Sequence, residues 1–115
     1  NNSSFKKILK TKRKKKNVGN NDIYNPYENL HRKGFNTLAY RDNLNLFDMI
    51  LISLPLLDTG KKDFKMYKAM IFNKHFLSDK KGKFKGYPFR SFSNGGYTGG
   101  YSDHYPVYMY LIKKI

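Results

Sequence analysis

Near the C-terminus the sequence reads Gly99-Gly100-Tyr101-Ser102-Asp103-His104-Tyr105-Pro106-Val107. Beyond this glycine-rich turn apolar and aromatic residues alternate, with Tyr108, Tyr110 and Ile112 on one side and Val107, Met109 and Leu111 on the other. The alternation predicts a strand. Pro106 suits its first position because proline has no N–H to donate to a ladder. Asp103 and His104 are therefore expected at the mouth of a strand, fixed from behind and reachable from the loop in front.

An acid beside a histidine in a loop is by itself more often a solvated turn than a functional site. Histidine titrates nearest neutrality of all side chains, so a neighbouring carboxylate can hold its proton or share a cation with it. The chain has three histidines, and neither His31 nor His75 has a comparable setting. The pair at 103 and 104 is thus the first candidate for chemistry.

A second candidate lies in Leu46–Ser53, which reads LFDMILIS and is apolar on both faces apart from Asp48. This pattern predicts a central strand, paired with a strand over Asn36–Arg41. A dry, unpaired carboxylate costs several kcal/mol, so Asp48 needs a partner. The partner is either backbone or Arg41, which is a structural role, or His104, whose tautomer Asp48 would then fix.

These stretches resemble a known family. Ser102–Val107 followed by a strand resembles the C-terminal Ser-Asp-His-x-Pro signature of the endonuclease/exonuclease/phosphatase superfamily, whose fold is DNase I-like. Leu46–Ser53 resembles the family's Asp-containing strand that ends in Ser. The segment Tyr24–Arg41 and the turn Lys85–Pro88 are similar to bacterial members, so the resemblance covers about residues 22 to 115.

The resemblance implies an α+β fold, namely the C-terminal half of a DNase I-like two-sheet sandwich with flanking helices. Residues 1–21 are then a helix and basic linker, and residues 22–115 the C-terminal part of the domain. The family's domain is about twice this length. Its early Asn and Glu metal ligands and its Gly-Asp-x-Asn motif are therefore expected before Asn1, and the missing N-terminal half is the expected partner of this fragment.

The resemblance also implies a metal-dependent phosphoesterase, with a phosphodiesterase or nuclease as the first expectation. His104 and Asp48 would be the catalytic residues, and Asp103 would bind Mg²⁺ or Mn²⁺. The expected substrate contacts are Arg90, Tyr101 and Ser102. Nucleic acid is the first expectation for the phosphodiester substrate, although the superfamily also hydrolyses phospholipids and nucleotides. The fragment alone is expected to be inactive.

Charge supports this reading and also an alternative to it. The formal net charge is +15, from 23 Lys and Arg against 8 Asp and Glu. Such a balance favours polyanionic partners. The same charge fits a non-catalytic module that binds polyanions or nucleic acid, a decayed half-domain, or lysines that only solvate the surface.

Composition excludes several other classes. The chain has no cysteine, which rules out disulfides and thiolate metal sites. No apolar run reaches the length of a membrane span, and the N-terminus lacks the apolar core of a signal peptide. The cellular compartment stays open, since a signal could lie upstream.

The remaining patterns predict local elements. A helix is expected from Ser3 or Ser4 to Thr11, and a second over Tyr27–Lys33, with His31 on its solvated face. Lys12–Lys16 is expected to be exposed and mobile, because five like charges repel one another. Met66–Asn73 predicts a strand. The basic, aromatic loop Asp79–Gly100 could track a phosphate backbone and stack on bases, or its rings could only pin the loop to the sheet.

Overall fold

The computed structural model describes residues 3–57 and 63–115. Its helices and strands, in chain order, are α1 (Ser4–Lys7), β1 (Ile23–Tyr24), α2 (Tyr27–Arg32), β2 (Leu38–Tyr40), β3 (Asn43–Asn45), β4 (Ile52–Ser53), β5 (Lys65–Ile71), β6 (Phe92–Ser93), β7 (Gly96–Tyr97) and β8 (Val107–Ile112). Short 3-10 turns lie at Lys15–Asn17, Leu54–Leu56, His75–Leu77 and Gly82–Phe84. The mixture confirms the α+β class. Among the described residues no helix is long and apolar enough to cross a bilayer.

The strands form small separate sheets. In the described part of the chain there are four antiparallel pairs, β1 with β4, β2 with β3, β5 with β8, and β6 with β7. The expected two-sheet sandwich is therefore not confirmed. The radius of gyration of 16.8 Å exceeds the roughly 13 Å expected for a compact domain of this length, which fits small sheets with open edges.

The longest ladder joins β5 to β8 and carries the main apolar face. The predicted alternation of β8 is confirmed, since the rings of Tyr108 and Tyr110 lie 5.5 Å apart on one face. The pairing of β5 shifts between Met66 and Lys68. A bulge changes the phase of the alternation, so Met66 and Ile71 are both buried although they are five positions apart.

Helix α2 is close to its prediction and is tied to the long ladder. Asn25 Oδ1 accepts a hydrogen bond from the N–H of Tyr27 (3.0 Å), and Gly34, at φ +92°, follows the C-terminal end. The ring of Tyr27 is fully buried, and its hydroxyl donates to the carbonyl of Tyr108 at 3.0 Å. Burial raises the pKa of Tyr27 to about 12.

Two apolar clusters form the core. The first consists of Val18, Tyr24, Ile52, Leu57 and Met66. The second consists of Tyr27, Ile71 and Tyr105, and Ala69 packs against both clusters. Val18 belongs to the first cluster, so this part of the predicted linker segment packs with residues from strands β1, β4 and β5.

The prediction of a continuous central strand over Leu46–Ser53 is wrong. Strand β2 pairs with β3, across a turn in which Arg41 and Asp42 both have positive φ. Only Ile52 and Ser53 pair, and they pair with β1. Residues 46–51 have no ladder partner among the described residues, because the N–H groups of Phe47 and Asp48 donate to the side chain of Thr37 instead of a neighbouring strand.

Two further predictions about the N-terminal half are wrong, and a third holds only in part. Helix α1 ends at Lys7, well before Thr11. The basic run is exposed at residues 14–16, as predicted, but it is anchored at its start, since the N–H of Asn25 donates to the carbonyl of Lys12 and the guanidinium of Arg13 donates to Asn29 Oδ1. His31 is half-buried, and among the residues that the structure describes its buried Nδ1 has no hydrogen-bond partner.

Candidate active site

The side chains of Asp48 and His104 are in contact, which is the functional alternative that the sequence left open for Asp48. His104 Nδ1 donates to Asp48 Oδ2 over 2.6 Å. An ionised carboxylate can only accept, so the ring carries its proton on Nδ1. The side chain of His104 is 35% exposed and that of Asp48 is 37% exposed, so a ligand can reach both. The other alternative was Arg41, which instead lies over the ring of Tyr40, 5.3 Å from its centroid.

Thr37 holds both halves of this pair and is fully buried. Its Oγ1 accepts from the N–H groups of Phe47 (3.0 Å) and Asp48 (3.3 Å). Its carbonyl accepts from the N–H of Tyr105 at 2.8 Å. One residue thus fixes the backbone that carries Asp48 and the backbone next to His104.

His104 is held at two further points. Its N–H donates to Ser102 Oγ at 3.0 Å, and its backbone faces Leu38 in an antiparallel bridge. With Nδ1 bound to Asp48, Nε2 is the remaining polar atom of the ring. Within residues 3–57 and 63–115 nothing hydrogen-bonds Nε2. That nitrogen is therefore available to a substrate.

Tyr105 anchors the loop behind the site. Its hydroxyl donates to the carbonyl of Gly86 (2.9 Å) and shares a 2.5 Å hydrogen bond with Ser78 Oγ. Burial raises the pKa of Tyr105, and the hydrogen bond from Ser78 opposes that shift. The basic loop is therefore fastened to the residue that directly follows His104.

Arg90 lies beside strand β2. Its Nη2 donates to the carbonyl of Ala39 at 3.4 Å, and Ala39 directly follows the residue that bridges to His104. Gly100 passes close by, since a Cβ on it would lie 2.1 Å from the carbonyl oxygen of Phe89 and 2.4 Å from that of Arg90. Only glycine allows this approach, so Gly100 helps to place Arg90.

The other predicted site residues are exposed. Asp103 is adjacent to His104 in sequence and has an exposed side chain. The ring of Tyr101 is 70% exposed and packs edge-on against Phe76 at 6.0 Å. Ser102 uses its oxygen to hold His104. No group of three or more His, Cys, Asp or Glu side chains in the described ranges could hold a metal ion.

A sequence model of the endonuclease/exonuclease/phosphatase family matches residues 1–113. The chain belongs to this family. Members of the family are generally hydrolases of phosphodiesters or phosphate esters, and they typically use divalent metals. Membership therefore points to a phosphoesterase- or nuclease-type function. No curated protein and no solved structure gives a significant match.

Sequence reasoning missed Thr37 and Gly100. A threonine before a short strand carries no local sign that its hydroxyl will accept two backbone hydrogen bonds from residues 10 and 11 positions away. Gly100 stood in the quoted stretch, but glycine there was read only as a turn residue. The need for it arises from backbone 10 residues earlier in the chain, which no local pattern contains.

Proposed function

We propose that this chain forms the histidine side of a phosphodiesterase site, and that the reaction is metal-dependent cleavage of nucleic acid. The observation that carries the proposal is the 2.6 Å hydrogen bond between His104 Nδ1 and Asp48, which leaves Nε2 without a protein partner in the described ranges. An imidazole fixed in one tautomer, reachable from solvent and backed by a carboxylate is the arrangement that proton transfer requires.

His104 is the proposed catalytic residue, and Asp48 positions it. As water attacks phosphorus, the neutral ring accepts the proton of the water at Nε2, and Asp48 stabilises the imidazolium that forms. The ester oxygen leaves from the opposite side of phosphorus and takes its proton from solvent, and the imidazolium releases its proton from Nε2 to solvent, so the ring returns to its starting state. In between, its charge lies next to the phosphoryl oxygens, where negative charge accumulates.

Asp103 is the proposed metal ligand on this chain. An exposed carboxylate is a hard oxygen ligand of the kind that Mg²⁺ or Mn²⁺ takes, and Mg²⁺ is often held by only one or two carboxylates together with substrate phosphate. The described residues do not complete a metal site, so the proton transfers proposed for His104 do not involve the ion. Mg²⁺ or Mn²⁺ in the site would polarise the phosphoryl oxygens.

Charge supports nucleic acid as the substrate. Within the described ranges, Lys6 and Arg32 form salt bridges with Glu28, and these are the salt bridges that lysine and arginine make. The other described cations have no carboxylate within 4.0 Å and stay available to phosphates. Arg90 presents a planar fork that matches phosphate. Tyr101 and Ser102 are proposed to contact the substrate next to His104, the first through its exposed ring.

The competing proposal is a binding module without catalysis. The net charge of +15 favours it, because Lys and Arg bind polyanions without any chemistry and such binding weakens steeply with salt.

The test is hydrolysis of single-stranded and duplex DNA and RNA by the full-length protein, with Mg²⁺, with Mn²⁺ and with chelator. We expect metal-dependent cleavage that His104→Ala reduces at least 100-fold. The matched control is His75→Ala, an exposed histidine outside the site. Full activity of His104→Ala would remove the catalytic assignment, whereas salt-sensitive binding without turnover would favour the binding module.

A further inference from the structure

A cavity of about 560 Å³ lies between the tip of the β2–β3 hairpin and the basic loop. Residues 39–42 form one wall, and residues between Asp79 and Thr98 form the other. We call it the Tyr87 cavity after the ring that joins the two walls. Its volume falls in the range of small-molecule sites, about 300–1,000 Å³.

The walls are fixed by hydrogen bonds before any ligand binds. Tyr87 Oη donates to Asp42 Oδ1 across the cavity at 3.4 Å, and Arg90 donates to the carbonyl of Ala39. Within the loop, the N–H of Asp79 donates to the carbonyl of Tyr87 at 2.8 Å, and Gly86 donates back to Asp79 at 2.9 Å. A preformed cavity loses little freedom on binding, which favours affinity.

The lining combines flat rings with cations. Phe84 and Tyr87 stand 5.9 Å apart between ring centroids, and Lys83 Nζ lies 5.7 Å from the ring of Phe84. Arg41 and Arg90 have no carboxylate within 4.0 Å among the described residues. Rings accept the faces of bases, and guanidinium groups accept phosphate, so the lining suits a ligand that carries both.

Two carboxylates further restrict the class of ligand that the cavity can bind. Asp42 and Asp79 also line the cavity. They would repel a headgroup that carries only phosphates, and they have no counterpart in an acyl chain. A nucleobase, in contrast, has N–H donors on its edge that a carboxylate accepts, as with the amino group of cytosine. The chemistry therefore fits a nucleoside better than an inositol phosphate or a lipid tail.

The cavity adjoins the histidine site. Leu38 faces His104 across the antiparallel bridge, and the next residue, Ala39, lines the cavity and binds Arg90. Consecutive Cα atoms lie about 3.8 Å apart, so the cavity begins one residue from the strand position opposite His104. A phosphate at His104 would have its neighbouring nucleoside within reach of the cavity.

We propose that the Tyr87 cavity is a nucleoside subsite. It holds one base of an unstacked, single-stranded nucleic acid against Phe84 and Tyr87, with a flanking phosphate on Arg90. This inference rests on the proposed function, since it names single-stranded nucleic acid as the substrate class of the same site. A duplex keeps its bases stacked and cannot offer one to the cavity without paying to unstack it.

The binding test uses the 115-residue chain in chelator, where metal-dependent cleavage is off. The probes are a short single-stranded oligodeoxycytidylate, inorganic polyphosphate of the same charge as a base-free polyanion, and vesicles of anionic phospholipid. We expect Phe84→Ala to weaken oligonucleotide binding about tenfold, with polyphosphate binding unchanged. The matched control is Phe64→Ala, because Phe64 is 54% exposed against 47% for Phe84 and has Lys113 Nζ 5.5 Å from its ring centroid.

The outcomes separate the subsite from the catalytic proposal. Equal oligonucleotide affinity for Phe84→Ala and Phe64→Ala overturns the subsite and leaves hydrolysis by His104 standing. A tenfold loss in Phe84→Ala, with no effect of His104→Ala on cleavage, keeps the subsite and removes the catalytic role. Vesicle or polyphosphate binding that depends on Phe84 also overturns the proposal. A second variant, Asp42→Asn, tests the subsite even if Phe84→Ala misfolds. We expect it to weaken oligonucleotide binding without reducing polyphosphate binding.

Discussion

Asp48 and His104 are 56 positions apart in sequence and are joined by a 2.6 Å hydrogen bond. Both lie where the chain is held by Thr37, so the contact depends on a buried hydroxyl and a backbone carbonyl rather than on a continuous sheet. This arrangement makes the pair sensitive to changes that touch neither of its members.

Replacing Asp48 with asparagine tests the positioning role. The amide keeps the shape, but it removes the charge that stabilises a protonated ring and it no longer enforces a proton on Nδ1. We expect kcat to fall about 10–100-fold with KM little changed. The measurement is steady-state cleavage together with imidazole ¹⁵N shifts, which report the tautomer. Asp63→Asn, at an exposed carboxylate, is the control. An unchanged tautomer and kcat in Asp48→Asn would contradict the role.

Thr37→Val keeps the volume of the side chain and removes the acceptor for two backbone N–H groups. Leaving a fully buried donor unpaired costs about 1–3 kcal/mol, and for these two partly buried N–H groups together we take the low end of that range, about 1 kcal/mol. We expect the free energy of unfolding, measured in urea, to drop by that amount and the His104 tautomer signal to broaden or shift. Thr37→Ser restores the hydroxyl and should rescue both. Unchanged stability and an unchanged tautomer signal in Thr37→Val would contradict this role, because valine keeps the methyl group and replaces only the hydroxyl.

Gly100→Ala places a Cβ 2.1 Å from the carbonyl oxygen of Phe89, so the backbone there must move. The movement displaces Arg90 from the carbonyl of Ala39. We expect weaker binding of the oligonucleotide and a smaller slope of log affinity against log salt, since a phosphate contact is lost. Gly96→Ala is the control, because its Cβ would meet its nearest atom at 3.9 Å. Equal binding by the two variants would contradict the placement.

Alkaline pH should destabilise the fold through buried tyrosines. Burial raises the pKa of Tyr27 from 10.0 to about 12, so the unfolded state loses this proton first as pH rises. The stabilisation is fully present below pH 10 and is lost as pH passes through about 12. The pKa values of Tyr24 and Tyr105 are raised in the same direction by burial.

The measurement is urea unfolding at intervals between pH 9 and 12. In Tyr27→Phe we expect the free energy of unfolding to fall less steeply as pH rises, because the variant lacks a hydroxyl whose pKa burial raises. Tyr67→Phe, which removes a hydroxyl from a side chain that is 63% exposed, should leave the slope unchanged. The reverse pattern would show that the hydroxyl at position 27 does not titrate with folding.

Much of the local structure follows from the sequence. The alternation of Val107–Ile112 predicts a strand, Pro26, Glu28 and Gly34 outline a short helix, and both elements form. The Ser-Asp-His-x-Pro segment identified the family, and the family match over residues 1–113 bears this out. These features depend on neighbours within a few positions, whose interactions any chain with these residues makes.

The tertiary structure alone decided what Asp48 binds and which residue holds it. The apolar pattern of Leu46–Ser53 required burial and favoured a central strand, yet its N–H groups at 47 and 48 found the hydroxyl of Thr37. The sequence left backbone, Arg41 and His104 as possible partners for the carboxylate, and only the path of the chain placed His104 within 2.6 Å. Hydrogen bonds between distant residues are set by register and packing, which a local pattern does not encode, so the family came from the sequence and the site geometry from the fold.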